Sequence, residues 1–359
     1  MHLESLRLIQ FKNYKKTELT FSPQINCFLG SNGSGKTNLL DAIYYLSFTK
    51  SAEQTQDAQC IQHEESFFSL QGKYAVENKM KTVFCTFQQG KKKQVKLDDK
   101  AYQKHSEHIG RFPAVLIAPN DTDVIRGGSE DRRRFFDGII AQADKNYLNN
   151  LMAYQRVLKQ RNRLLKQFAE QETFDGALLD TYSEQLIELG TNIYEARKTF
   201  LTYFEPLLIE HYANLSDEQE PIGITYESHH AGDIRQAFAE SLQKDRILKR
   251  TNRGIHRDEF HFEMKERLIK NYGSQGQQKS YLIALKLANF HYLKSQMQVK
   301  PLLLLDDIFD KLDDQRIEKL LAMVASDAFG QIFITDARPE RSKMHFGSLQ
   351  QNHRFFEVV

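Results

Sequence analysis

Residues 30–37 read Gly30-Ser31-Asn32-Gly33-Ser34-Gly35-Lys36-Thr37, with Asn38 next, and fill every fixed position of the G-x-x-x-x-G-K-[ST] phosphate-binding loop. The glycines let successive backbone N–H groups turn inward around a β-phosphate, and the N-terminus of a following helix adds partial positive charge. Lys36 is spaced to reach the β- and γ-phosphates, and Thr37 to set its hydroxyl on Mg²⁺. Far downstream, Pro301 precedes Leu302-Leu303-Leu304-Leu305-Asp306-Asp307, an apolar run closed by two carboxylates. Paired with the loop, it reads as the Walker B element. Asp306 then holds Mg²⁺, and Asp307 polarises the attacking water. Together these residues predict binding of a nucleoside triphosphate.

Strands and helices must place these groups. Ile25-Asn26-Cys27-Phe28-Leu29 reads as a strand entering the loop, and Asn38-Leu39-Leu40-Asp41-Ala42-Ile43 as the helix leaving it. The four leucines read as a buried central strand whose C-terminal end delivers Asp306. Upstream, Tyr272-Gly273-Ser274-Gln275-Gly276-Gln277-Gln278-Lys279 enters a helical stretch from Ser280 to Leu293. Ser274, Gly276 and Gln277 make a second anion-binding helix end, the plain alternative being an ordinary serine N-cap. The order is phosphate loop, long insertion, S-x-G-Q, Walker B, then Leu312-Asp313. It resembles the ABC-type ATPase head shared with SMC proteins. That resemblance implies a site completed by dimerisation: the S-x-G-Q of one subunit closes over the γ-phosphate held by the other's loop, and Leu312-Asp313 meets the second subunit.

Further blocks narrow the family. Leu8-Ile9-Gln10-Phe11-Lys12-Asn13-Tyr14 precedes the loop. Pro119-Asn120-Asp121 leads to Ile125-Arg126-Gly127-Gly128-Ser129-Glu130-Asp131-Arg132-Arg133-Arg134-Phe135-Phe136-Asp137. Tyr154-Gln155-Arg156-Val157-Leu158-Lys159-Gln160-Arg161-Asn162 and Gly254-Ile255-His256-Arg257-Asp258-Glu259 follow. With the loop variant G-x-N-G-x-G-K-T-N, these resemble the RecF family of bacterial recombination mediators, from about residue 1 to about residue 340. The resemblance implies a weak, DNA-stimulated ATPase using ATP and Mg²⁺, which dimerises on ATP at double-stranded DNA near single-strand gaps. It further implies RecR and RecO as partners and RecA as the recombinase loaded. Two departures stand out. Ser47-Phe48-Thr49-Lys50-Ser51-Ala52-Glu53 keeps one lysine where the family carries a basic cluster. Thr335-Asp336 stands where ABC ATPases often place a γ-phosphate-sensing histidine, so the switch residue is open between the two.

The expected fold is α/β: an ABC-type, SMC-like head at 1–125 and 265–359, interrupted by a mainly helical lobe at 126–264. Short β-type runs fill residues 1 to about 120, with a hairpin turn at Asp98-Asp99-Lys100. Helical spacing takes over from Ser129 to about Leu215, broken at Asp175-Gly176 and Pro206. Among 359 residues, 40% are apolar and the net charge is +2, so any grip on nucleic acid comes from local patches. The densest are Lys91, Lys92 and Lys93, and Arg132, Arg133 and Arg134, with a second set at Arg156, Lys159, Arg161, Arg163 and Lys166. A solvated face is the plain reading of one such patch; three of them favour sequence-independent phosphate contacts. Of twelve histidines, His256 stands out through its motif. Lys12 and Tyr14 are the positional candidates for the adenine. Cys27, Cys60 and Cys85 fit no metal spacing and read as reduced thiols in a cytoplasmic protein without a membrane span. A different machine built on the same head, a nuclease subunit, an SMC-like complex or a transporter ATPase, is the alternative class.

Overall fold

Leu3, Leu6, Leu8 and Phe11 of β1 (His2–Phe11) are fully buried, so this strand founds a sheet with one face on the core. The computed structural model describes residues 1–216, 220–307, 317–319, 322, 328–347 and 352–359, in two units: Met1–Asp121 with Ile283–Val359, and Thr122–Leu282. In the first unit, β1 pairs antiparallel with β2 (Tyr14–Thr20); β3 (Ile25–Leu29) and α1 (Lys36–Phe48) follow. The antiparallel sheet continues through β4 (Phe67–Val76), β5 (Lys79–Gln88), β6 (Gln94–Leu97) and β7 (Lys100–Ala101), in the order β2-β1-β4-β5-β6-β7. Asp98 and Asp99, at φ +48° and +65°, make the turn between β6 and β7, a left-handed pair that suits the strand twist. β8 (Ala114–Ile117) ends this part of the chain. The three cysteines are free and buried.

The second unit is mainly helical. It contains α2 (Thr122–Arg126), α3 (Ser129–Ala143), α4 (Lys145–Glu170), α5 (Gly176–Leu215), β9 (Ile222–Glu227), α6 (Ile234–Leu248), β10 (Glu259–Met264), β11 (Arg267–Leu268) and α7 (Ile269–Tyr272). Asp144 caps α4 by accepting the N–H groups of Asn146 and Tyr147, and Asp175 caps α5 through Leu178. The expected break at Asp175-Gly176 is present. The one at Pro206 is not: α5 runs through it for 40 residues. An internal proline costs about 3 kcal/mol. Phe204 and Leu208 on either side are fully buried, and burying two such side chains, at about 1.5–3 kcal/mol each, offsets that loss.

α8 (Gln275–Met297) starts in the second unit and belongs to the first from Ile283 onward. Then come β12 (Leu302–Leu305), β13 (Ile332–Asp336), α9 (Pro339–Gly347) and β14 (His353–Glu357). The five-stranded parallel sheet has the order β14-β3-β13-β12-β8. Every residue of β3, β12 and β13 is buried, as strands covered on both faces should be. Phe28 of β3 stacks on Phe333 of β13 with ring centroids 6.2 Å apart, and Phe21 meets Phe333 edge-on at 4.9 Å. The strand order has a direct consequence for chemistry. β13 lies between the strand that feeds the glycine loop and the strand that ends in Asp306, so Thr335 and Asp336 emerge between them. No helix among the described residues is long and apolar enough to cross a membrane.

Candidate functional site

At the C-terminal end of β3, Gly30 donates its N–H to the Asp336 carbonyl at 3.3 Å, and Ser34 donates to the Ser31 carbonyl at 3.2 Å. Ser31, Asn32 and Gly33 form the exposed crown of the loop. Gly35 caps α1 at φ +106°, a left-handed conformation, and a Cβ there would run into the Asn13 carboxamide. Lys36, only 7% exposed, donates from Nζ to the Gly30 and Ser31 carbonyls at 2.8 Å each. Its ammonium thus lies across the loop, where an anion gathered by the loop N–H groups meets it.

The tip of the β1–β2 hairpin braces this cradle. Asn13 donates to the Ser34 carbonyl at 3.2 Å and accepts from Asn38 Nδ2 at 2.8 Å, while Tyr14 donates its hydroxyl to the Gly35 carbonyl at 3.1 Å. Lys12 is paired with Asp41 at 2.9 Å and with Glu53. Both positional candidates for the adenine are therefore engaged with the protein itself. Asn13, from the F-K-N-Y block, thus ties loop to helix, a role that its sequence neighbours do not signal.

Thr37 Oγ1 donates to Asp306 at 2.9 Å across 269 residues of sequence. Thr335 Oγ1 donates to the same carboxylate at 2.8 Å and accepts the N–H of Asp307, also at 2.8 Å. Asp307 itself stands at φ +46°, a left-handed conformation for a non-glycine residue. Burial pushes the Asp306 carboxyl above the usual range, the Thr335 and Thr37 hydroxyls pull it down, and the carboxylates of Glu53 and Asp307 push it up again. A buried carboxylate beside a second acid suits a cation. Thr37 and Asp306 suit Mg²⁺, which takes one or two carboxylates and leaves its other positions to phosphate and water. Accordingly, no group of three His, Cys, Asp or Glu that could hold a metal alone occurs among the described residues.

The two switch candidates separate cleanly. Thr335 touches both Walker B acids. Asp336 is fully buried and engaged by Arg341 Nη2 at 2.6 Å, Ser342 Oγ at 2.6 Å and the N–H of Arg338 at 3.0 Å, all at the start of α9. Leu312 and Asp313 lie outside the described residues.

Ser274, in the second unit, is exposed. Its N–H donates to Gln277 Oε1 at 2.7 Å and its Oγ accepts the Gln277 N–H at 3.2 Å, a reciprocal box that starts α8. Gly276 is half-buried in the first turn. Gln277 also donates to Glu220 at 2.7 Å.

The basic residues divide by burial. Lys91 and Lys92 are exposed between β5 and β6, whereas Lys93 pairs with Asp57 at 2.8 Å and donates to the Thr49 carbonyl at 2.6 Å. Arg132, 3% exposed, is forked onto Glu259 at 2.8 and 2.9 Å and onto the Gly127 carbonyl. Arg133 donates to the Asp258 carbonyl at 2.6 Å; Arg134 is exposed, beside Glu130 at 2.8 Å. The cations turned to solvent here are Lys91, Lys92 and Arg134. On α4, residues 145–169 contain no acid, and Arg156, Lys159, Arg163 and Lys166 recur at helical spacing on the exposed face. Tyr147, Tyr154, Arg161 and Leu165 occupy the buried one. His256 is a link and not an exposed ligand: its Nδ1 meets the Tyr154 hydroxyl at 2.7 Å and its Nε2 the Thr251 carbonyl at 3.1 Å. Burial lowers its pKa to about 4.

The family model of the RecF/RecN/SMC N terminal domain matches residues 2–349. The DNA replication and repair protein RecF of Flavobacterium johnsoniae is 46% identical over all of both chains. Among solved structures, the recombination mediator protein RecF-ATPrS of the RecFOR pathway superposes with a TM-score of 0.90 at 27% identity, over 99% of this chain and 96% of that one. The RecF-ATP structure does so with a TM-score of 0.87 at 30% identity, over 94% and 92%. With its glycine loop and Walker B acids joined on one parallel sheet, an ABC-type head of the SMC kind, the chain belongs to the RecF family of DNA replication and repair proteins.

Proposed function

We propose that this protein is an ATP-dependent DNA-binding ATPase of recombinational repair, which dimerises on ATP at double-stranded DNA beside single-strand gaps and promotes recombinase loading with RecO and RecR. The observation that carries the reading is the Thr37–Asp306–Thr335 contact, which joins the phosphate loop to the Walker B acids in one unit. The loop N–H groups and Lys36 hold the β- and γ-phosphates. Thr37 and Asp306 hold Mg²⁺, which neutralises phosphate charge when bound. Asp307 orients the attacking water and accepts its proton.

Ser274 supports the dimer half of the reading. It is exposed at the start of α8 and satisfied by its own helix, so its N-terminal dipole is open to an anion from outside. A second copy's γ-phosphate is that anion. DNA meets Lys91, Lys92, Arg134 and the basic face of α4 through its phosphates, without sequence preference. The membership of the RecF family, and the RecF-ATP complex among its relatives, support the nucleotide and the repair context.

Sedimentation with and without ATP and duplex DNA tests this. The wild type sediments as a dimer with ATP and duplex. Ser274→Arg binds nucleotide as a monomer and fails to dimerise or hydrolyse, because a bulky cation blocks closure and leaves the glycine loop untouched. Full dimerisation and turnover by Ser274→Arg would remove the signature from the mechanism.

A further inference from the structure

Two of the sequence blocks that carry the family resemblance lie outside the glycine loop and the Walker B acids, and they meet each other in the second unit. Arg161, 1% exposed, donates to the fully buried Asp245 at 2.7 Å and to Thr251 Oγ1 at 2.9 Å. Asn162 accepts the Thr251 N–H at 2.7 Å, and Asp245 accepts the Asn252 N–H at 2.9 Å. Tyr154 meets His256 from the same helix, and Gly254 holds φ +118° where a Cβ would strike the Tyr154 hydroxyl. Buried charge pairs are weak sources of stability, and what this one secures is shape. It fixes the backbone from Asp245 to His256.

That segment carries cations. With His229 and the end of α6 it lines a half-open pocket of about 440 Å³, whose lining includes Glu240, Lys244, Arg250, Arg253 and Arg257. Four permanent positive charges face one carboxylate. None of the four makes a side-chain hydrogen bond or ion pair with the described residues. In the G-x-H-R-D-E block, His256 and Asp258 are hydrogen-bonded inside the lobe and Glu259 holds Arg132, so Arg257 alone turns outward. Leaving four like charges together without partners raises the energy of the free protein, and an anion removes that cost.

We infer that this pocket is a phosphate-binding site for a DNA strand, separate from the nucleotide loop. It rests on the DNA-binding reading above and adds where the second unit grips. Guanidinium forks match phosphate oxygens two at a time, and three arginines with a lysine suit consecutive phosphodiesters. An acidic peptide is the weaker fit. Leu248 is the one apolar residue of the described lining, so there is no recess for a peptide's anchoring side chain.

The test uses the full chain with ATP and a fluorescent duplex of mixed sequence, read by anisotropy over a salt series. Lys244→Ala/Arg253→Ala/Arg257→Ala is compared with wild type, and with Lys73→Ala/Lys79→Ala/Lys100→Ala, which removes the same exposed charge from the antiparallel sheet of the first unit. The slope of log Kd against log salt is expected to fall by about 2–3 in the pocket variant, at about 0.9 for each phosphate that the protein no longer neutralises. It stays near wild type in the sheet variant, and ATP binding is unchanged in both. Arg253→Gln/Arg257→Gln, which keeps side-chain length, loses about two units and guards against a folding defect. A wild-type slope and affinity in the pocket variants would overturn the site while leaving DNA binding in place. Equal losses in the pocket and sheet variants would overturn it too, as a general charge effect. Retained DNA binding with lost binding of a glutamate-rich peptide would give the pocket to a protein partner and overturn it as well. A wild-type protein that binds no duplex would sink both readings together.

Discussion

Thr335→Val offers the most direct test of how the two Walker B acids are held. The hydroxyl bridges Asp306 Oδ1 and the Asp307 N–H at 2.8 Å each, inside a fully buried position. Valine fills the same space, so packing is kept and two hydrogen bonds are lost. Removing the hydroxyl that accepts the half-buried Asp307 N–H costs up to about 1–3 kcal/mol, and a hydrogen bond to a charged carboxylate contributes about 1.5–3 kcal/mol. Thr37 still donates to Asp306, which limits the damage on that side. If about 2–3 kcal/mol of the loss is felt in the transition state, kcat falls about 30- to 150-fold, at tenfold for each 1.36 kcal/mol. Phosphate release measured over a Mg²⁺ series is the assay, with nucleotide binding measured separately. The variant should bind ATP within a few fold of wild type, need more Mg²⁺ and turn over slowly, and Thr335→Ser should recover. Asp336→Asn is the companion. It loosens the Arg341 and Ser342 contacts at α9 and should lower the unfolding midpoint while keeping the wild-type Mg²⁺ dependence. Wild-type turnover in Thr335→Val, or a stable Asp336→Asn that has lost turnover, would refute the assignment.

Lys36→Ala should abolish nucleotide binding, because the cation across the loop is the charge-assisted donor to the phosphates; Lys36→Arg should bind, yet hydrolyse poorly, since a planar fork misplaces the charge. Equilibrium binding of a fluorescent ATP analogue checks both. Asp307→Asn should bind ATP and dimerise but turn over at least tenfold more slowly, as the water loses its anionic acceptor while Asp306 keeps Mg²⁺, and phosphate release under single turnover decides it. Stability should fall on acidification. Burial lowers His108 and His256 to about 4 from an ordinary value near 6.5, so between those limits the unfolded chain binds more protons than the folded one. Each then contributes stability that is fully present above about 6.5 and is lost toward about 4, with a slope of at most about 1.4 kcal/mol per pH unit. Urea unfolding from pH 7 to 4.5 should show a shallower decline in His108→Gln/His256→Gln than in wild type, and equal slopes would refute the assignment.

What the sequence made legible was local. The glycine loop, the strand before it and the four leucines before Asp306 each declare themselves within a dozen residues, because backbone geometry and burial on both faces demand those types. What it hid depends on partners far along the chain. Asn13 acquires its role only when the β1–β2 hairpin folds back on the loop, 21 residues from Ser34. Thr335 and Asp336 are neighbours in sequence and equal as candidates until β13 is inserted between β3 and β12; pleating then sends one side chain to the acids and the other to α9. Pro206 reads as a stop by its own chemistry and is overruled by the buried side chains around it.

The arginines make the same point about charge. Arg132 and Arg134 belong to one run of three, yet Glu259, 127 residues away, draws the first inside, while solvent keeps the other. Arg161 and Arg163 divide in the same manner, with Asp245 taking the first. Counting basic residues in a sequence therefore overstates what a surface can offer to DNA. A cation is available only where the fold leaves it turned to solvent, as it does for Lys91, Lys92, Arg134, the outer face of α4 and the pocket around Arg257. Of these, the pocket has a buried scaffold fixing its backbone, which is the arrangement expected when position matters as much as charge.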